Sequence, residues 1–172
     1  MQYFGGESVV EGMLTVPTGA FWKFNVEYVT KAVEVLPGVT IVPTTSNLMG
    51  TFIKYPPFAD NPQFVGMPEL SVSFATEEGQ IIISGCSHST IETIIQETKK
   101  VRTDKIRLVV GGFHLIPYQR GYIESLAKRM REDYGVESVA PAHCSGHLGF
   151  SIFQKVYGDK YRFFGLGERI VL

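Results

Sequence analysis

The feature that most constrains the fold is an alternation of strand and helix patterns from Gln80 to the end of the chain. Three short runs rich in β-branched residues have the length and composition of strands buried on both faces. Each run precedes apolar residues at helical spacing. The runs are Ile81–Ile83, Ile106–Val110 and Val136–Ala140. Strands that alternate with helices pair in parallel through right-handed crossovers, so this part of the chain is predicted to be α/β.

The ends of these elements also carry sequence signals. Ser89-Thr90-Ile91-Glu92 fits a capping box, which predicts that the first helix begins just after His88. Backbone N–H groups at such a helix start favour an anion such as phosphate. Glycines are predicted to end the second and third helices. Two short strands, Tyr161–Phe164 and Arg169–Leu172, are predicted to close the chain.

Residues 1–78 are richer in proline and less regular. One helix is predicted around Asn25–Val35, and a long surface loop over Thr51–Pro68. In the run Leu70–Ala75, apolar residues alternate with serine and alanine, the pattern of a half-buried strand. The other predicted strands are Val9–Val16 and Val39–Val42. We interpret 1–78 as a strand- and loop-rich connecting part and 79–172 as a βαβαβα half, within one domain overall.

Composition excludes several classes of partner. Sixteen Lys and Arg against 17 Asp and Glu leave a net charge of −1, which offers no basic surface for a nucleic acid or an anionic membrane. No apolar stretch approaches the roughly 20 residues of a membrane span, and the first ten residues lack a signal-peptide pattern. Two cysteines are too few for a disulfide framework. We therefore expect a cytoplasmic protein.

All four histidines follow the ends of predicted strands, and both cysteines lie in the same loops. They are His88 and Cys86 after the first strand, His114 after the second, and His143, Cys144 and His147 after the third. Because the carboxyl ends of parallel strands face one crevice, these side chains are predicted to meet at one rim. Imidazole nitrogen and thiolate sulfur are ligands that zinc prefers, so the rim is a candidate zinc site.

Each of these residues also has a structural interpretation. His147 falls in the first turn of the last helix, where a purely structural role is favoured. Cys144 is best interpreted as a small buried hydrophobe, whereas for Cys86 burial and ligation are evenly balanced. His114 fits a role in folding as well as one in chemistry, and Ser87 fits a cap.

Three motifs carry a resemblance to a known family: residues 83–88 (ISGCSH), 109–115 (VVGGFHL) and 140–146 (APAHCSG). In this order and spacing they resemble the C-terminal half of the metallo-β-lactamase fold. Within that superfamily they are most similar to the dihydropterin-ribofuranosylaminobenzene phosphate synthase-like branch, connected with methanopterin. The resemblance implies a four-layer αββα sandwich with one or two metal ions, usually zinc, at the sheet edge.

The resemblance also implies roles for single residues. His88 and His143 would be metal ligands, and Cys86 would lie near the position of a metal-bridging carboxylate in many relatives. His114 would line the pocket as the catalytic group. Ser87, Gly112 and Ser145, beside these residues in the three motifs, are predicted to bind substrate. The implied activity is that of a metal-dependent hydrolase, or of a synthase-like transferase, acting on a small molecule that carries phosphate.

One motif of the superfamily is missing from the 172 residues. The sequence His-x-His-x-Asp-His, which belongs to the N-terminal half of the fold, does not occur. We therefore expect this chain to cover about the C-terminal two-thirds of the fold and to have little activity alone. It is expected to form a homo-oligomer or to bind a complementary N-terminal half. The alternative is a non-catalytic remnant or assembly subunit.

Overall fold

The computed structural model describes residues 29–46 and 67–171, which form one six-stranded sheet with three helices. The strands lie in the sheet in chain order. The first four pair antiparallel, and the last three pair in parallel. They are β1 (Val33–Leu36), β2 (Val39–Ser46), β3 (Met67–Thr76), β4 (Gly79–Ser84), β5 (Ile106–Gly112) and β6 (Ser138–Ala142).

The three helices occupy the positions that the alternation predicts. They are α1 (Ile91–Val101) after β4, α2 (Arg120–Glu132) after β5, and α3 (Gly146–Tyr157) after β6. A short 3₁₀ turn, His143–Ser145, connects β6 to α3. The parallel arrangement predicted for β4, β5 and β6 is thereby confirmed. Within the described ranges, no helix has the length and the apolar run needed to cross a membrane.

The main core lies between the helices and one face of the sheet. Ile82, Val109 and Val139 point from three adjacent strands into this core, and all three are fully buried. Their partners from the helices include Ile95 of α1 and Leu126 of α2. Apolar residues spaced along each helix therefore bury one face of it, which is the origin of the helical periodicity in the sequence.

The opposite face of the sheet, which we call the outer face, carries an apolar row across all six strands. Paired residues build it: Val33, Ile41, Val72, Ile83, Val110 and Ala140. Ala140 and Val110 are buried, but Ile83 is 41% exposed. In β3 the serines Ser71 and Ser73 are buried while Leu70 is 52% exposed. The apolar side of this alternating strand is thus its more exposed side.

The predicted helix around Asn25–Val35 is wrong where the structure describes it. Val33–Leu36 is strand β1, paired antiparallel with β2. The turn between them contains Gly38 with φ +79°, a left-handed conformation that closes the hairpin at little cost for glycine. Pairing across this turn overrides the helical pattern. The strand predicted at Val9–Val16 lies outside the described residues, as does most of the loop predicted at Thr51–Pro68, whose last two residues belong to β3.

The two closing strands are also wrong in the described part of the chain. Only Tyr161 pairs with the sheet, through a single bridge to Val139 of β6. Arg162 adds one backbone hydrogen bond to Val139, and strand pairing then stops in the described residues, although Ile170 still packs against the outer face of the sheet. A turn over residues 166–167 follows, next to Gly165 and Gly167, so no further ladder forms.

The start of α1 differs from the predicted capping box. Thr90, not Ser89, is the N-cap, and its hydroxyl accepts a hydrogen bond from the Thr93 N–H. Ser89 donates instead to the Thr44 hydroxyl, and Glu92 forms an ion pair with Arg129 of α2. Tertiary partners have therefore replaced the two reciprocal bonds of the box.

Candidate metal and catalytic site

The loops after β4, β5 and β6 meet at the carboxyl edge of the sheet, as predicted from the position of the histidines. His143 and Cys86, from the loops after β6 and β4, share a hydrogen bond of 3.0 Å between Nε2 and Sγ. The rings of His88 and His114, from the loops after β4 and β5, contact edge to face with centroids 4.8 Å apart. Parallel pairing produces this convergence because it aligns the three strand ends.

Cys86, His143 and Cys144 form what we call the thiol–imidazole cluster. One nitrogen or sulfur atom of each lies within 4.8 Å of those of the other two. The Cys144 thiol also donates to the Cys86 carbonyl at 3.3 Å. Both cysteines are free and half-buried, whereas His143 is exposed. The side chains thus place two sulfurs and one nitrogen around a position that solvent can reach.

These three residues fit a zinc ion by donor type and by spacing. Zinc takes thiolate and imidazole ligands in a tetrahedral arrangement, and a catalytic zinc has three protein ligands with an open fourth position. Two ligands of one tetrahedral zinc stand about 3.5 Å apart, given bonds of about 2.0–2.3 Å. The cluster needs only small side-chain movements to reach that spacing, because its donor atoms already lie within 4.8 Å.

Burial and neighbouring charge disfavour the free thiolate of Cys86. Its pKa is raised to about 11, first by burial and then by the charge and hydrogen bond of Cys144, with a smaller contribution from Glu69. Two thiolates close together repel each other. A divalent cation between them would reverse this preference, because the metal-bound form of cysteine is the thiolate.

His88 and His114, the imidazole pair, lie beside the cluster, and Glu69 of β3 contacts the first of them. Glu69 Oε1 is 3.0 Å from His88 Nδ1, and the Glu69 side chain is only 9% exposed. Its two oxygens accept hydrogen bonds from the N–H groups of His88 and Ser89, each at 2.7 Å. The carboxylate therefore anchors the loop that carries His88, and it lies beside the His88 ring although Nδ1 makes no hydrogen bond of good geometry to it.

His114 is held in its neutral form. Its pKa is lowered, mainly by burial and further by the nearby His88 and His143, while Glu69 opposes the shift. Among the described residues, the buried His114 Nδ1 has no hydrogen-bond partner. A neutral imidazole carries one nitrogen that donates a hydrogen bond and one that accepts, so this residue can accept a proton from a bound molecule.

The three residues predicted to bind substrate, Ser87, Gly112 and Ser145, help to hold the loops of the site in place. Ser87 and Ser145 are buried, and their hydroxyls donate to the carbonyls of Gly112 and Ala142. A Cβ at Gly112 would lie 2.8 Å from the Cys144 sulfur and 2.5 Å from the Gly85 carbonyl oxygen, so only glycine fits there. Direct contact of these residues with a substrate stays a prediction.

Two site histidines have left-handed backbone conformations. His114 has φ +51° and His143 has φ +49°. Residues with a Cβ occupy this region at a cost of about 1–2 kcal/mol, and such residues concentrate at functional sites. The surrounding loops therefore hold both histidines in place against a local preference.

The sequence reasoning missed Glu69 and assigned Cys144 to packing. Glu69 gives no local signal, because it lies in a strand separated from His88 by 19 residues and meets it only through the pairing of β3 with β4. It also occupies the amides of His88 and Ser89, which lie just before α1, next to the predicted helix start where phosphate was expected. For Cys144, its position directly after His143 in a strand-end loop was the available signal.

Comparison with known proteins points to one superfamily. A segment of 103 residues is 31% identical to the 7,8-dihydropterin-6-methyl-4-(beta-D-ribofuranosyl)-aminobenzene-5'-phosphate synthase of Methanocaldococcus jannaschii, and covers 59% of this chain and 35% of that protein. A solved metal-dependent hydrolase of the β-lactamase superfamily superposes with a TM-score of 0.69 and 26% identity, over 84% of this chain and 57% of that chain. No protein-family model matches.

A second solved structure agrees on the fold alone. The isothiocyanate hydrolase from Delia radicum gut bacteria superposes with a TM-score of 0.52 at 13% identity, over 90% of this chain and 63% of that chain. This chain spans less than two thirds of the length of each of the three proteins. The α/β architecture and the superfamily resemblance expected from the three motifs are thereby confirmed.

Proposed function

Since the chain has the fold of the metallo-β-lactamase superfamily, we propose that it supplies the C-terminal part of a metal-dependent enzyme acting on a small molecule that carries phosphate. The observation that carries the proposal is the meeting of the thiol–imidazole cluster and the imidazole pair at one sheet edge. A hydrolase and a synthase-like transferase both fit this site.

Cys86 and His143 would hold the metal. The role of His88 follows from its contact with Glu69. With Nδ1 facing Glu69, His88 has only Nε2 available for a metal. A carboxylate behind a ligating histidine is a common arrangement, because it fixes the ring and increases the basicity of the ligand. His88 and His143 thus supply separate ligand positions, consistent with one or two zinc ions. When bound, zinc polarises a substrate oxygen and lowers the pKa of a bound water to about 7.

His114 is proposed as the catalytic acid or base. Its neutral ring, beside the two ligand positions, can accept a proton from the attacking group, and the imidazolium so formed can pass that proton to the substrate oxygen that leaves. In hydrolysis that oxygen belongs to the leaving alcohol or phosphate. In the synthase-like reaction it belongs to the departing pyrophosphate. The phosphate-bearing substrate is inferred from the name of the Methanocaldococcus relative, a synthase of a 5'-phosphate compound.

Activity is proposed to require a polypeptide that carries His-x-His-x-Asp-His. No such sequence occurs in the 172 residues, and an open, water-filled site weakens every electrostatic interaction in it. The required polypeptide would be a complementary N-terminal half of the fold.

The test combines the zinc-loaded chain with such a polypeptide and measures hydrolysis of a phosphodiester and pterin synthase turnover. We expect activity in the mixture and little in either component. In the mixture, His114→Gln should lower kcat by roughly 10²–10⁴-fold, the usual contribution of a general acid or base, with metal content unchanged. His147→Gln is the matched control, because His147 is exposed on α3.

Two results would contradict the proposal. Full turnover by the isolated chain would remove the need for a second polypeptide. Absence of turnover in the complete mixture, with both components folded and metal bound, would favour a non-catalytic assembly role.

A further inference from the structure

Cys144 has no part in the proposed chemistry, yet its thiol is directed at the site. It follows His143 in the 3₁₀ turn after β6, and its thiol donates to the backbone of Cys86. Gly112 lies behind it, so close that an added Cβ would be 2.8 Å from the sulfur. The Cys144 sulfur is therefore confined between β5 and the β4 loop, on the side of Cys86.

We infer that Cys144 is the third ligand of a zinc site formed with Cys86 and His143 by the loops after β4 and β6 alone. The inference rests on the proposed function only in placing a metal at this rim. It goes further in assigning a ligand and in stating that the site fills without a second polypeptide.

Donor chemistry selects the ion. Two sulfurs and one imidazole nitrogen suit zinc, whereas magnesium and calcium require oxygen ligands. His143 is exposed, so the fourth position of a tetrahedral ion can open to solvent. The described residues place no carboxylate in this cluster.

The geometry around the cluster supports preorganisation. The Gly112 N–H donates to the Gly85 carbonyl at 2.8 Å, which ties the β4 loop to β5. The Leu115 N–H donates to the Cys144 carbonyl at 3.0 Å, which ties the β6 turn to the chain after β5. All three donors thus approach one another on backbone held by neighbouring strands, and binding requires little reordering.

Cobalt binding by the full 172-residue chain tests the inference without any measurement of activity. The reduced, metal-free chain is titrated with Co²⁺, and absorption from thiolate-to-cobalt charge transfer is recorded. We expect one ion per chain and its displacement by Zn²⁺. Cys144→Ser should reduce the charge-transfer intensity to about half, since one thiolate of two remains, and weaken binding by at least about tenfold. His147→Asn should bind as the unmodified chain does.

A second measurement needs no variant and so does not depend on how well a variant folds. Iodoacetamide labelling of the unmodified chain, read by mass spectrometry, is compared with and without one equivalent of Zn²⁺. We expect zinc to protect both Cys86 and Cys144. Protection of Cys86 with unchanged labelling of Cys144 would overturn the inference.

Other outcomes separate this inference from the proposed function. Full cobalt binding by Cys144→Ser together with its loss in His88→Asn would assign the third position to His88 and overturn the inference. Absence of binding by the unmodified chain would overturn it as well. If zinc were bound by Cys86, His143 and Cys144 but the chain mixed with the complementary polypeptide showed no turnover, the zinc site would be supported and the proposed function would fail.

Discussion

At the scale of single residues, the most informative positions are the two histidines with positive φ. His114 and His143 both follow strands that end at the site, and both keep a backbone conformation that is unfavourable for a residue with a Cβ. The cost is about 1–2 kcal/mol for a residue with a Cβ, and glycine avoids it. Substitution can therefore separate the effect of the backbone conformation on stability from the effect of losing the imidazole ring.

We predict that His114→Gly is more stable than His114→Ala by roughly 1 kcal/mol. Both variants lose the ring, and only alanine keeps the strained Cβ. The free energy of unfolding is measured by urea denaturation of the metal-free chain. At Lys128, exposed inside α2, the same pair should show the opposite order, because glycine is about 1 kcal/mol worse than alanine in a helix. If the glycine and alanine variants had the same order of stability at both positions, the proposed backbone strain at His114 would be contradicted.

At the scale of elements, Glu69 connects the antiparallel and parallel parts of the sheet. It extends from β3 to the loop between β4 and α1 and accepts from two consecutive backbone N–H groups. That loop carries Cys86 and His88. The carboxylate therefore determines where two of the candidate ligands lie, although it touches neither the cluster nor His114 by any described hydrogen bond.

We predict that Glu69→Ala lowers the free energy of unfolding by roughly 2–4 kcal/mol, since two hydrogen bonds to a buried charge are lost. Glu69→Gln should lose less, because its amide oxygen still accepts one of them. Chemical denaturation of the metal-free chain provides the measurement. Glu77→Ala, in the exposed turn before β4, is the control. If Glu69→Ala lowered the free energy of unfolding no more than Glu77→Ala does, the loop would not depend on the Glu69 carboxylate and the prediction would be wrong.

At the scale of the whole molecule, the outer face of the sheet is an apolar surface that is only partly covered in the described residues. Its apolar row is buried at β5 and β6 but open at β4, where Ile83 is 41% exposed. Leu70, on the same side of β3, is 52% exposed. Contiguous apolar patches of more than a few hundred Å² mark interaction surfaces in monomeric proteins.

We predict that the isolated chain associates through this face, so that its mass by light scattering rises with concentration. Ile83→Lys should shift the chain towards the monomer, because a charge on the outer face would have to be desolvated on association. Ser151→Lys adds the same charge on the exposed side of α3 and should leave association unchanged. A monomer at every concentration tested would contradict the prediction, and a complementary polypeptide should compete with self-association.

The sequence by itself determined the parts of the protein that depend on local periodicity. Buried β-branched runs and apolar helix faces predicted β4, β5, β6 and the three helices. The order of these elements placed His88, His114 and His143 at one edge, because parallel strands must end together. The motifs in the same loops carried the superfamily resemblance.

Only the tertiary structure decided which side chains face each other across that edge. Glu69 reaches His88 through strand pairing, and Cys144 faces Cys86 although the two lie 58 positions apart in sequence. The hairpin of β1 with β2 overrode a helical pattern, and partners from β2 and α2 replaced the capping box. Local periodicity reports which face of an element is buried, but not the identity of its neighbour. Contacts between distant segments depend on the packing of the whole sheet, and the candidate metal cluster consists of such contacts.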